Sequence, residues 1–163
     1  LWRYQIGDTI RFTSTNPFRF KITGRTKHHI NVFGEELVIE NAETALADVS
    51  KAHQTSVIDF TAGPVFMNGK KKGKHEWIVE FKSPPKDIDQ FMNDLDKRLQ
   101  ELNSDYEAKR YKNMTLDSLE IHIGRENLFH DWLKDRNKLG GQNKIPRLSN
   151  SREFVDILLE MNR

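Results

Sequence analysis

Apolar and polar residues alternate with two different periods along the chain. In Thr9-Ile10-Arg11-Phe12-Thr13 and in Phe18-Arg19-Phe20-Lys21-Ile22 every second residue is apolar, the period of a strand with two unlike faces. Asn16-Pro17 between them marks a turn, so the pair is predicted to be a β-hairpin. A shorter strand pair is expected over 29–32 and 36–39, with Gly34 in its turn. From Asn41 the period lengthens. Ala45, Leu46, Val49 and Ala52 recur at helical spacing, Asn41 is placed to cap the helix, and Glu40 and Glu43 suit its positive end. A strand is predicted over 56–62, broken by Gly63-Pro64, with Val65-Phe66-Met67 extending the edge before a lysine-rich loop at 68–74. A second strand over 75–81 pairs with it antiparallel, and Ser83-Pro84-Pro85 ends it. Helices are expected over 86–103, with Ile88, Phe91, Met92, Leu95 and Leu99 on one face, and over 105–111, 126–138 and 151–161. Gly140-Gly141 stops the third of these, and Leu119, Ile121 and Ile123 alternate in a third strand over 118–123. The predicted class is α+β: a small β-rich N-terminal segment, residues 1–40, then a unit over 41–163 with a largely antiparallel sheet covered by helices.

Composition narrows the possible chemistry. The 163 residues suffice for one domain or one domain with an appendage. Lys and Arg number 26 against 24 Asp and Glu, and a net charge of +2 gives no strong field for nucleic acid or membrane. With no cysteine, disulfides, thiolate nucleophiles and Cys-based zinc sites are excluded. No apolar run approaches the roughly 20 residues of a spanning helix, and no secretory signal opens the chain. A cytoplasmic protein is expected. The chain opens inside an apparent strand, Leu1-Trp2-Arg3-Tyr4-Gln5-Ile6, and reads as a piece of something longer.

Four local features carry candidate chemistry. Tyr4-Gln5-Ile6-Gly7-Asp8 puts a carboxylate at a tight turn, where it can accept hydrogen bonds from two vicinal ribose hydroxyls; alone, it is an ordinary turn. Gly24-Arg25-Thr26-Lys27 follows a strand, and an arginine there can clamp phosphate. Ile30-Asn31-Val32-Phe33-Gly34-Glu35-Glu36-Leu37 has the form of a hairpin whose tip enters a cleft. Gly140-Gly141-Gln142-Asn143-Lys144-Ile145-Pro146-Arg147 is a glycine- and proline-bounded loop that presents a cation. Each alone has a bland reading. Their order and spacing resemble the adenylate-forming superfamily of acyl-CoA synthetases, luciferases and peptide-synthetase adenylation domains. Within it, the chain is most similar to the acyl-acid amido synthetases first described as auxin-responsive proteins in plants, and to their bacterial relatives. The text His75-Glu76-Trp77-Ile78-Val79-Glu80-Phe81, the run Leu102-Asn103-Ser104-Asp105-Tyr106-Glu107-Ala108-Lys109-Arg110-Tyr111-Lys112 and Gly141-Gln142-Asn143-Lys144-Ile145-Pro146-Arg147 carry that likeness over nearly the whole chain.

The resemblance implies the C-terminal lid domain of an ATP-dependent acid ligase that passes an acyl group to an amino acid amine, inactive without the large N-terminal domain. It implies that Asp8 binds the ribose hydroxyls, that Arg25 lies near ribose and phosphates, and that Lys27 is the hinge. It further implies that Lys144 is the mobile lysine of the adenylation step, and that the hairpin around Gly34 faces the site in the second step. ATP with Mg²⁺ is the implied cofactor pair, the metal being held mostly by phosphates. Two positions depart from the superfamily pattern. The carboxylate after the hairpin, Glu40, is displaced by one position with Asn41 in its place, so its role is not transferred, and Asn31 replaces a common Lys.

The remaining features read as structural. The six histidines show no metal-ligand spacing, and no metal site is expected of this chain. Lys70-Lys71-Lys72-Gly73-Lys74 lacks the interleaved aromatic platform of a nucleic-acid module and reads as a solvated hairpin tip. The alternative to the ligase is a non-catalytic nucleic-acid- or protein-binding module using that loop. Trp77, Phe129 and Trp132 are expected in the core.

Overall fold

In the computed structural model, which describes residues 8–25, 29–69, 71–111, 115–140 and 144–163, β1 (Asp8–Thr15) and β2 (Phe18–Arg25) form the expected antiparallel hairpin around Asn16-Pro17. The opening segment 1–6 lies outside the described residues. β3 (His29–Ile30) and β4 (Leu37–Val38) make the second, shorter pair. Gly34 turns between them at φ +82°, a left-handed conformation that glycine adopts without strain. The fully buried Ile30 and Leu37 face each other across this pair and join the larger core.

α1 (Ile39–Ala52) starts two residues before Asn41. Asn41 is therefore inside the first turn, and its side chain reaches back to accept from the Val38 N–H. β5 (Ser56–Val65) does not break at Gly63-Pro64 as expected. Both residues pair with β6 (Lys74–Ser83), Gly63 opposite Glu76 and Pro64 opposite His75. The proline is tolerated because β5 is an edge strand. The glycine is required by close packing: a Cβ there would lie 2.9 Å from the Ser151 carbonyl oxygen and 3.2 Å from Val155.

α2 (Ile88–Leu102) is capped by the Asp87 side chain, which accepts from the Gln90 N–H, and α3 (Ser104–Arg110) by Asn103, which accepts from Tyr106 N–H. The chain then crosses over to β7 (Glu120–Gly124), which joins β6 in parallel, so the three-stranded sheet runs β5-β6-β7 with one antiparallel and one parallel pairing. α4 (Leu128–Asp135) ends before the expected Gly140-Gly141. Asn137 takes a left-handed φ of 52°, the Asn137 N–H bonds Lys134 O and the Lys138 N–H bonds Leu133 O, the two bonds of a Schellman closure. α5 (Glu153–Met161) completes the chain.

Alternation along β6 divides the interior. Trp77, Val79 and Phe81 enter one core with α1, α2 and α3, while Ile78 enters a second with α4 and α5. The fold is thus α+β, a mixed, mostly antiparallel three-stranded sheet between helices, with two small hairpins ahead of it. Trp77, Phe129 and Trp132 are all buried, as their apolar setting requires. Among the described residues, no helix is long and apolar enough to cross a membrane.

Candidate functional site

The candidate residues fall on three elements that meet at the start of α1. The β1–β2 register sets Asp8 directly across from Arg25 at the open end of the hairpin. Lys27 lies outside the described residues. The hairpin reaches α1 through Arg11, whose guanidinium donates to Glu40 at 3.0 Å. One turn along the same helix face, Glu43 pairs with Arg147.

Arg147 belongs to the segment that carries Lys144, and that segment is pinned to the free edge of β5. The Ala62 N–H donates to Arg147 O, the Ser149 N–H donates to Ala62 O, and Thr61 Oγ1 donates to Pro146 O. Arg147 also bonds Asp59 at 3.2 Å and lies over the Phe60 ring, and Ile145 is buried. Lys144 is the residue just before this anchored run, and it is exposed. The cation is presented at the start of a run fixed to a strand edge. Among the described residues no ion pair involves Lys144, whereas Arg147, three residues on, is neutralised by two carboxylates.

The hairpin tip around Gly34 is tied to the same segment. Asn150 accepts from the Asn31 N–H at 2.8 Å and donates to His29 O at 3.1 Å, so the two loops hold each other by one amide side chain. Inside the tip, Glu35 is fully buried. It accepts from the Phe33 N–H at 2.7 Å, and its other oxygen stands 2.8 Å from His75 Nε2 on β6. Burial pushes the Glu35 pKa up, but the hydrogen bond and charge of His75 and two backbone N–H groups outweigh it and hold the carboxyl below its ordinary range. Phe33 rests on Gly73 of the lysine loop, where a Cβ would meet its ring at 2.4 Å, and Lys109 Nζ of α3 lies over Gly34.

The run 102–112 explains itself structurally as far as it is described. Tyr106 and Arg110, four residues apart on α3, both reach Asp96 of α2: the tyrosine hydroxyl donates at 2.7 Å and the guanidinium bonds both carboxylate oxygens at 2.8–3.0 Å. Burial, then the Asp96 charge, pushes the Tyr106 hydroxyl well above its usual pKa. Arg110 further donates to Leu116 O and Ser118 Oγ, securing the approach to β7.

Sequence spacing does not reveal one group that the fold assembles. The parallel β6–β7 pairing sets Glu120 beside Glu76 and His122 next to both, with one donor atom from each within 4.8 Å of the others. Lys74 bonds Glu120, and Arg152 bonds Glu76 at 2.6 Å, so two cations balance the two carboxylates. The group is an ion-pair network on the sheet. Lys72, 3.8 Å from Asp117, and Lys74, paired with Glu120, turn two charges of the lysine loop toward acids just before and at the start of β7.

Two solved structures share this fold. GH3.15 acyl acid amido synthetase aligns at a TM-score of 0.76 and 22% identity, covering 99% of this chain and 31% of that one. AtGH3.15 acyl acid amido synthetase in complex with 2,4-DB aligns at 0.75 and 21%, covering 99% and 30%. The chain therefore spans less than a third of the length of these relatives. No curated protein matches it. Residues 40–153, well over half of the chain, match the GH3 family C-terminal domain, and the chain belongs to that family.

Proposed function

We propose that the chain is the C-terminal lid of an ATP-dependent acid ligase that couples a carboxylic acid to an amino acid amine. The observation that carries this reading is Lys144, an exposed cation at the point where a glycine-bounded loop meets a pinned segment, within a domain of the GH3 family. The solved relatives with this fold are acyl acid amido synthetases.

In the first step a carboxylate oxygen attacks the α-phosphorus of ATP, the bond to the β-phosphate oxygen breaks, and pyrophosphate leaves. AMP is then a good leaving group on a carbonyl that was a poor electrophile. In the second step the amine nitrogen attacks that carbonyl, gives up a proton, and AMP departs. Asp8 would accept from the ribose hydroxyls and Arg25 would lie at the phosphates. They are backbone partners in the hairpin register, and a carboxylate and a guanidinium are the acceptor and donor types a ribose phosphate takes. Mg²⁺ would arrive with ATP, bound mostly by phosphate oxygens. Lys27 would be the hinge about which the lid turns between steps, and the Gly34 hairpin would face the site in the second. The lid's contribution is positioning and charge stabilisation.

Lys144 would neutralise charge as the carboxylate meets the α-phosphate. A lysine about 4 Å away offers roughly 4 kcal/mol of attraction at an effective dielectric near 20. In the full-length protein, Lys144→Ala should slow adenylate formation at least about 100-fold. Amide formation from preformed acyl-adenylate should stay nearly intact, because the turned lid carries Lys144 away. Single-turnover measurement of the two steps separates them: equal loss in both marks a structural lysine, and no loss in either removes the residue from the mechanism.

A further inference from the structure

We propose that Glu76, Glu120 and His122 bind one divalent transition-metal ion of the Zn²⁺ class. The parallel register sets Glu76 on β6 opposite Glu120 on β7, and Ile78 opposite His122. Residues two apart on a strand share a face. Both carboxylates and the imidazole therefore lie on the face that Ile78 turns toward α4 and α5. His122 Nε2 stands 2.7 Å from Glu76 Oε1 and 3.7 Å from Glu120 Oε1. Donors about 2.0–2.1 Å from a tetrahedral ion lie about 3.3–3.4 Å from one another. The two distances bracket that value. Glu76 is buried, whereas Glu120 and His122 are partly exposed and leave the group open to an ion from solvent.

Contacts outside the three donors orient them. Arg152 holds Glu76 Oε2 at 2.6 Å, and Lys74 bonds Glu120 Oε2. Each carboxylate thus has one oxygen fixed by a cation and the other, Oε1, on the side of the imidazole. Metal ligands keep their aim through such outer contacts. Arg152 is itself held by Asp156 at 2.7 Å and by Pro64 O at 3.2 Å. Three carboxylates, Glu76, Glu120 and Asp156, therefore meet two cations. With the imidazole neutral, as a metal ligand must be, one negative charge is left for an incoming ion to offset. Two carboxylates and an imidazole suit Zn²⁺ with water in the fourth position. Mg²⁺ and Ca²⁺ favour shells made of oxygen alone, which this set does not offer. Glu76 and His122 lie forty-six positions apart, so only the β6–β7 pairing brings the ligands together.

Isothermal titration of the 163-residue chain with Zn²⁺ tests this. One ion per chain should bind at micromolar concentration, and Co²⁺ in its place should give the visible absorption of a four-coordinate ion. His122→Ala and Glu120→Gln should each weaken binding at least about tenfold. Both side chains are partly exposed, so the two variants should keep the circular dichroism of the unsubstituted chain. His130→Ala removes an exposed histidine outside the cluster and should leave binding unchanged. Absence of saturable Zn²⁺ uptake up to millimolar concentration would overturn the proposal. So would full affinity in both cluster variants, or a loss caused by His130→Ala alone, which would mark binding by surface histidines. Displacement of Zn²⁺ by an equal concentration of Mg²⁺ would also overturn it, because the imidazole would then play no part. Should a cluster variant lose its fold, modification of the unsubstituted chain by diethyl pyrocarbonate reads the same contact. His122 should react more slowly with Zn²⁺ bound, and an unchanged rate sinks the site.

Discussion

Glu35 is the residue at which burial and charge meet most directly. Its carboxylate is enclosed, bonded to the Phe33 N–H and to His75, and its pKa lies below the ordinary 4.5 despite the desolvation that opposes this. A carboxyl whose folded pKa is depressed contributes stability that is present above its unfolded pKa. That stability is lost as pH falls through the folded value. Glu35→Gln should therefore cost about 1.5–3 kcal/mol near neutral pH, the range for a hydrogen bond to a charged group. The gap between wild type and variant should close as pH falls below 4.5. Urea unfolding across that range measures it, and a gap that stays constant would mean that ionisation of Glu35 contributes nothing. The sequence placed Gly34 in a turn because glycine is a local signal. It was silent on Glu35, because its partner His75 is forty residues away and only the fold joins them.

At the scale of elements, packing between loops decides what local pattern leaves open. The tip of the β3–β4 pair rests on Gly73, with Phe33 so close that a Cβ at that glycine would lie 2.4 Å from the ring. Gly73→Ala should displace Phe33 and destabilise the domain by about 1–3 kcal/mol, the usual cost of overpacking. Phe33→Ala should relieve the clash, so the double variant should lose less than the sum of the two singles. Denaturant melts of the three proteins check this, and strict additivity would show that the contact is not felt. The same logic explains the two boundary differences. Gly63-Pro64 looks like a break, yet the strand continues because the glycine admits the Ser151 backbone and the proline sits on an edge. α4 stops at Asp135 although two glycines lie further on, because the Schellman bonds around Asn137 close it there. Its N-terminus, which has no side-chain cap of its own, is met by Glu80 of β6, whose oxygens accept from the Asn127 and Phe129 N–H groups.

For the whole molecule, the sheet is a divider: β6 sends alternate residues into two cores, and α1 gathers the hairpin and the Lys144 segment through Glu40 and Glu43. The 163-residue chain carries no Ser/Thr/Gly-rich phosphate loop and spans less than a third of the solved relatives. The purified chain should accordingly release no pyrophosphate above background with ATP and a panel of carboxylic acids. Turnover by the chain alone would require a complete site within it and would end the reading of it as a lid.

What the sequence determined by itself is what short-range physics encodes: the period-two hairpin, the helical faces of α1 and α2, the buried tryptophans, and the order of motifs that resembles an amido synthetase. Those signals depend on neighbours a few residues apart, and side-chain period and turn chemistry suffice to read them. Only the tertiary structure decided that β7 runs parallel to β6 and that Asp96, Tyr106 and Arg110 form one buried cluster. The same holds for Asn150, which clasps the Gly34 hairpin to the segment bearing Lys144. Each of these pairs residues that lie from ten to more than a hundred positions apart. The free energy of such a contact depends on what else is buried around it, and no local pattern carries that information.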